Sequence, residues 1–261
     1  MIILDGVTKA GGGGAKKRAV LKTTQATLPS NRRIALLGPR AEDKRIFINL
    51  LAGLSLPDSG RVIRNARVSF PVGHAGGFTS EFSVRLNVAH VARLYGAEVE
   101  PIVDFVEKVT KLGKAYNKPF GDLSKVAKRD LSQILAFSIP FDVYLLNDDI
   151  VGARQANTEV RALFEARAKT SGMIIASEDQ SFAREFCDMG LVLAEGKVRL
   201  FDGVEQALAF AEKAAARPSK TKMKAGRIKK RKRALILASP ERMEKRQAKR
   251  ARRRARKAAT E

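Results

Sequence analysis

Ile34-Ala35-Leu36-Leu37-Gly38-Pro39-Arg40-Ala41-Glu42-Asp43-Lys44-Arg45-Ile46-Phe47-Ile48-Asn49-Leu50-Leu51 is the stretch on which the fold turns. Its first four residues are an unbroken apolar run, the pattern of a strand buried on both faces. From Asp43 to Leu51 the spacing becomes helical, with Ile46, Phe47, Leu50 and Leu51 on one side. Strand, glycine turn, helix is the frame in which a phosphate site is built.

The flanking sequence repeats that alternation. Upstream, Ile2-Ile3-Leu4 and Ala19-Val20-Leu21 have strand character, and Gly11 to Gly14 reads as a flexible loop between them. Downstream, Pro57-Asp58-Ser59-Gly60 forms a turn into the strand Arg61-Val62-Ile63. A helical middle runs from Val84 to Phe137, broken at Gly96, Gly113 and Pro119. After Pro140 the sequence predicts strands at Val143–Leu146 and Met173–Ala176, with helices at Glu159–Ala168 and Phe182–Phe186. Gly190–Leu193 and Lys197–Leu200 then flank the turn Glu195-Gly196. Alternating strands and helices imply an α/β fold with a mainly parallel sheet.

The apolar fraction of 44% suffices for a packed core, and no apolar run approaches 18 residues. The single cysteine, Cys187, forms no internal disulfide and fits a reducing compartment. Met1–Asp5 lacks the charged-then-apolar pattern of a secretory signal, so the chain reads as cytoplasmic. A net charge of +23 suggests a nucleic-acid partner until its placement is considered. Residues 217–261 hold 20 Lys or Arg against 3 Glu, a net of +17, and residues 1–216 carry only +6. The charge belongs to a tail in which like charges repel, a composition that stays disordered or turns helical on a partner.

One further stretch is more specific. Ser69-Phe70-Pro71-Val72-Gly73-His74-Ala75-Gly76-Gly77-Phe78 is followed by Asn87-Val88 and by Val91-Ala92-Arg93-Leu94-Tyr95-Gly96. With Leu56-Pro57-Asp58-Ser59-Gly60 and Glu185-Phe186-Cys187-Asp188, it resembles the ATP-binding-cassette ATPases of capsule-polysaccharide exporters. The resemblance covers residues 1–212 and implies a P-loop NTPase-like, mainly parallel sheet with an antiparallel β portion. It also implies an inserted helical subdomain at about 72–140, leaving 213–261 as a basic tail, disordered or partly helical. ATP and Mg²⁺ are the implied cofactors. A membrane permease subunit and a second cassette, identical or different, are the implied partners. The implied cargo is a lipid-linked surface polysaccharide, and the implied location is peripheral, on the cytoplasmic face of the cell membrane.

Against the phosphate-loop pattern G-x-x-x-x-G-K-[ST], the chain keeps Gly38 and Lys44. Asp43 replaces the second glycine and puts a carboxylate where polyphosphate would lie. Arg45 replaces the hydroxyl that holds Mg²⁺. Two like charges about 4 Å apart cost roughly 1–4 kcal/mol at effective dielectrics of about 80 to 20. The plain alternative for this segment is a strand–turn–helix joint.

The other motifs depart in the same direction. After Val143–Leu146 the family resemblance implies an Asp and then a Glu, but the chain has Asn147 and Asp148. Asn147 cannot offset Mg²⁺ charge, and a base at Asp148 sits one methylene back, a displacement that costs on the order of 10²-fold. Asp149 could substitute only if re-aimed. The signature that a partner's phosphate would meet reads Leu123-Ser124-Lys125-Val126, where Ser124 either bonds that phosphate or caps a helix. Glu178 stands where a switch histidine is implied, Thr79 where a glutamine is, and Gly11 where an aromatic would stack on adenine. Neither His74 nor His90 is at the switch position.

Three readings follow. The first is an architectural or regulatory exporter subunit that has lost most of its ATPase chemistry. The second is a working ATPase, completed by Lys44 and a partner's intact residues. The third is a cassette-derived nucleic-acid binder, although the tail has no aromatic residue to stack on a base. Residues 217–261 are expected to attract an anionic membrane surface.

Overall fold

The computed structural model describes residues 1–12, 18–73, 77–147, 157–176 and 179–216. Residues 1–214 form one compact unit.

The opening stretch folds as its pattern predicts. Strand β3 (Arg33–Leu37) is followed by helix α1 (Ala41–Ala52). The next strand in space is β7 (Gly172–Ile175), and beyond it lies β6 (Val143–Leu146). These three predicted strands are therefore neighbours in one sheet. The full sheet has six strands, adding β5 (Val68–Val72), β8 (Met189–Ala194) and β9 (Lys197–Phe201) in the order β5-β6-β7-β3-β8-β9. All its pairings are parallel except β8 with β9.

Side chains alternate across this sheet with the strand period of two. Ile34, Leu36, Val143, Leu145 and Ile174 enter one core. Ala35, Leu37, Tyr144, Leu146, Met173 and Ile175 enter the other. Both faces are buried, which is why the strands read as continuous apolar runs rather than alternating ones.

The first core is closed by α1 and by a separate antiparallel sheet, β2-β1-β4, built from β1 (Ile2–Gly11), β2 (Arg18–Leu28) and β4 (Ser59–Arg64). Here the expectation of a loop beginning at Gly11 is corrected. Gly11 is the last residue of β1 and pairs with Arg18 of β2.

The second core is covered by helices. Helix α2 (Val84–Leu94), α3 (Val99–Thr110) and α4 (Lys125–Ser138) occupy the predicted helical middle, with two 3₁₀ turns, Gly113–Asn117 and Phe120–Asp122, between α3 and α4. α5 (Thr158–Thr170), α6 (Gln180–Phe186) and α7 (Val204–Ala216) complete the chain order. Phe164 of α5 makes aromatic contacts with Phe137, Phe182 and Phe186, joining α4, α5 and α6 in this core.

Polar side chains lock the joints. Asp188 accepts from Arg32 Nε at 3.0 Å and from the Arg33 backbone N–H at 3.2 Å, so the Glu185–Asp188 motif clamps the entry to β3. Asn87, 1% exposed, accepts from the Thr79 N–H at 2.7 Å and donates to the carbonyls of Thr79, Phe82 and Ser83. It thereby fixes the turn that leads into α2.

Between α3 and α5, the Lys111 ammonium lies 2.7 Å from Glu159 Oε1. That bond, helped by the Thr158 hydroxyl and a backbone N–H, lowers the Glu159 pKa from 4.5 to about 2. A depressed carboxylate contributes stability above its ordinary pKa and loses it as pH falls through the folded value. The contribution is thus expected to fade between about pH 4.5 and 2. Carboxyl NMR should place the Glu159 midpoint near 2, and Lys111→Met should return it toward 4.5.

Candidate functional site

The carboxyl ends of β6, β7 and β3 bring Asn147, Ala176 and Gly38 to one edge of the sheet, where open α/β folds place ligands. β3 ends at Leu37 and α1 begins at Ala41, so the joint is only Gly38, Pro39 and Arg40. α1 starts two residues before the predicted Asp43, and Ala41 and Glu42 are already helical. By Lys44 the backbone N–H is engaged, donating to Arg40 O at 3.3 Å. Pro39 has no N–H at all.

Each surviving motif residue has a structural setting. A Cβ on Gly38 would lie 2.7 Å from the carbonyl oxygen of Leu193 in β8, a backbone contact with no room to yield. Lys44 is 2% exposed and lies on the buried side of α1 with Phe47, Ile48 and Leu51. Arg45 is exposed. Asn147 is half-buried and directly follows β6. Ser124 is the N-cap of α4, its Oγ accepting from the Ala127 N–H at 3.2 Å. Asp148, Asp149, Glu178 and His74 lie outside the described residues.

The structure adds a participant that motif reading missed. Arg18, at the start of β2, donates through one terminal nitrogen to Glu42 Oε2 at 3.0 Å and to Asp43 Oδ1. Glu42 and Asp43 form the acidic first turn of α1. Above them, a Cβ on Gly11 would come within 2.7 Å of Val20 Cγ2 and 2.8 Å of Ile46 Cδ1, so an aromatic there would have to displace both. Only the excess of basic residues near Gly11 and the acidic pair after Arg40 hinted at this contact, and pairs separated by 24 residues leave no periodic signal.

Magnesium triphosphate fits this donor set poorly. A phosphate loop offers free N–H groups, a compact glycine and a Mg²⁺-holding hydroxyl. The head of α1 offers two carboxylates, an arginine already paired with them and a proline.

Comparison with known proteins identifies the fold and the lineage. The chain is 31% identical over 213 residues to the polysialic acid transport ATP-binding protein KpsT of Escherichia coli, covering 80% of this chain and 97% of that one. It belongs to the ATP-binding-cassette subunits of capsule-polysaccharide exporters. BexA, an ATP-binding protein of Haemophilus influenzae, is 28% identical over 212 residues, with 80% and 97% of the two chains covered. CtrD, the capsule polysaccharide export ATP-binding protein of Neisseria meningitidis serogroup B, is 27% identical over 195 residues, with 74% and 90% covered. No family model matches the sequence. Among solved structures, the dimeric cassette MJ0796 bound to ADP and phosphate superposes with a TM-score of 0.61 at 16% identity, covering 77% of this chain and 98% of that one. The cassette fold is therefore retained along with the α/β sheet and helical middle that the sequence implied.

Proposed function

We propose that this cassette is an architectural or regulatory subunit of a surface-polysaccharide exporter and has given up ATP hydrolysis. One observation carries the reading: the head of α1 is filled by Glu42 and Asp43, paired with Arg18. A triphosphate placed there would meet like charge and would have to break an existing ion pair. Likeness to KpsT, BexA and CtrD supports the exporter context, with a membrane permease component and a second cassette as partners. The helical part, Val84–Ser138, is the natural candidate for permease contact. Among the described residues no helix is long and apolar enough to cross a membrane. Attachment to the cytoplasmic face of the membrane would therefore come from the permease and from the basic residues of 217–261, each worth about 1 kcal/mol near an anionic leaflet.

Gene deletion and complementation test this reading. Deletion is expected to lower surface polysaccharide, and wild-type and Lys44→Met chains are expected to restore it equally. Restoration by wild type alone would favour a working ATPase. Unchanged polysaccharide after deletion would remove the exporter role. The 1–216 truncation should also leave the membrane fraction at lower salt than the full chain, because exposed charge attraction decays over about 8 Å at physiological ionic strength. Equal extraction of the two would take the tail out of the mechanism.

A further inference from the structure

We infer that Arg18, Glu42 and Asp43 form a built-in substitute for bound phosphate, an ion triad that ties β2 to the head of α1 and holds the anion position there. The inference rests on the assignment of residues 38–45 as the altered phosphate loop.

Helix α1 sets the requirement. Its first turn leaves backbone N–H groups without intrahelical partners and carries about half a positive charge. Phosphate answers both needs in a phosphate-binding helix. Arg40, the N-cap of α1, makes no side-chain capping bond. The negative charge comes instead from Glu42 and Asp43, the second and third residues of α1 and adjacent to each other.

Two adjacent carboxylates repel, and Arg18 resolves that repulsion. A single terminal nitrogen of its guanidinium serves both acids. The Arg18 side chain is 27% exposed and that of Asp43 is 17% exposed, so solvent screens this pair less than a surface pair. The bond to Asp43, chiefly, and the bond to Glu42 raise the Arg18 pKa despite its partial burial.

The geometry spans two sheets. Arg18 pairs with Gly11 in the antiparallel sheet, and α1 follows β3 of the parallel one. The triad therefore joins the antiparallel sheet to the helix that follows β3. Charge at the helix head is met by side chains of this chain, without a ligand.

A double-mutant cycle on thermal unfolding of the full chain tests the triad. Arg18→Gln and the pair Glu42→Gln with Asp43→Asn should each lower Tm by about 3 °C at low salt, given roughly 2–4 °C per kcal/mol for a protein of this size. All three together should fall no further than the worse set, because the changes remove one interaction. The deficits should shrink at about 1 M salt, where the Debye length is about 3 Å. Inorganic pyrophosphate at about 10 mM should leave the wild-type Tm unchanged. It should raise that of the Glu42→Gln, Asp43→Asn chain by about 2 °C or more, since Arg18 and the helix head are then free to take an anion. Additive losses would overturn the proposal. So would equal pyrophosphate stabilisation of both proteins, an arm that holds even if Arg18→Gln fails to fold. The triad can fail in this way while the exporter role survives, and complementation can fail while the triad survives.

Discussion

Purified full-length protein supplied with saturating magnesium ATP is expected to release phosphate far below about 1 s⁻¹, the low end of ordinary enzymes. Lys44→Met is expected to leave that background unchanged. Several departures in residue type point this way. Arg45 cannot hold Mg²⁺ as a hydroxyl would, and Asn147 carries no charge to balance the metal. Glu42 and Asp43 oppose phosphate, and only three residues separate β3 from α1. Misplacement by about 1 Å can alone cost on the order of 10²-fold, and these defects act on binding and chemistry together. Phosphate release near 1 s⁻¹ that disappears in Lys44→Met would contradict the expectation.

Gly38→Val is expected to unfold the protein or lower its stability by about 3 kcal/mol or more. Strain and overpacking of this kind sit in the upper tail of point-mutant effects. The added Cβ would meet the Leu193 carbonyl oxygen at 2.7 Å, and that oxygen belongs to β8, which is paired on both sides by β3 and β9. A motif glycine kept for a phosphate would behave differently. Its replacement would weaken nucleotide binding while the fold stayed intact. Denaturant unfolding checks the point: an unchanged midpoint in Gly38→Val would show that packing against β8 is not why the glycine persists.

Much of the sheet could be read from the sequence because its central strands are buried on both faces. Ile34–Leu37 and Val143–Leu146 could scarcely be anything else, and the helix after Gly38 followed from Ile46, Phe47, Leu50 and Leu51. β5 escaped notice because Ser69 and Pro71 interrupt its apolar run. Both are tolerated for physical reasons. β5 is an edge strand, where proline removes no central ladder bond, and the Ser69 hydroxyl donates to the Phe70 carbonyl and accepts from the Leu145 N–H. The strand character of Gly11 was hidden by the glycine run that follows it, because glycine carries no side-chain pattern to read.

The candidate site was legible as a set of departures in residue type from the phosphate-loop pattern. Asp43, Arg45 and Asn147 each conflict with magnesium triphosphate by residue type alone. Its replacement by something else was not legible. The Arg18 contact depends on how the antiparallel sheet lies over α1, a tertiary fact that neither local propensity nor motif spacing encodes. The N-cap role of Ser124 lay within reach, since a serine before a helical run already suggests one.

On the function proposed above, a cassette fold of exporter lineage persists here without a site for magnesium ATP. Titration calorimetry of the purified full chain with magnesium ATP tests it most directly. No saturable heat is expected up to about 1 mM nucleotide, which bounds binding to weaker than about −4 kcal/mol. A saturable isotherm of micromolar Kd, abolished by Lys44→Met in a chain that still folds, would contradict it.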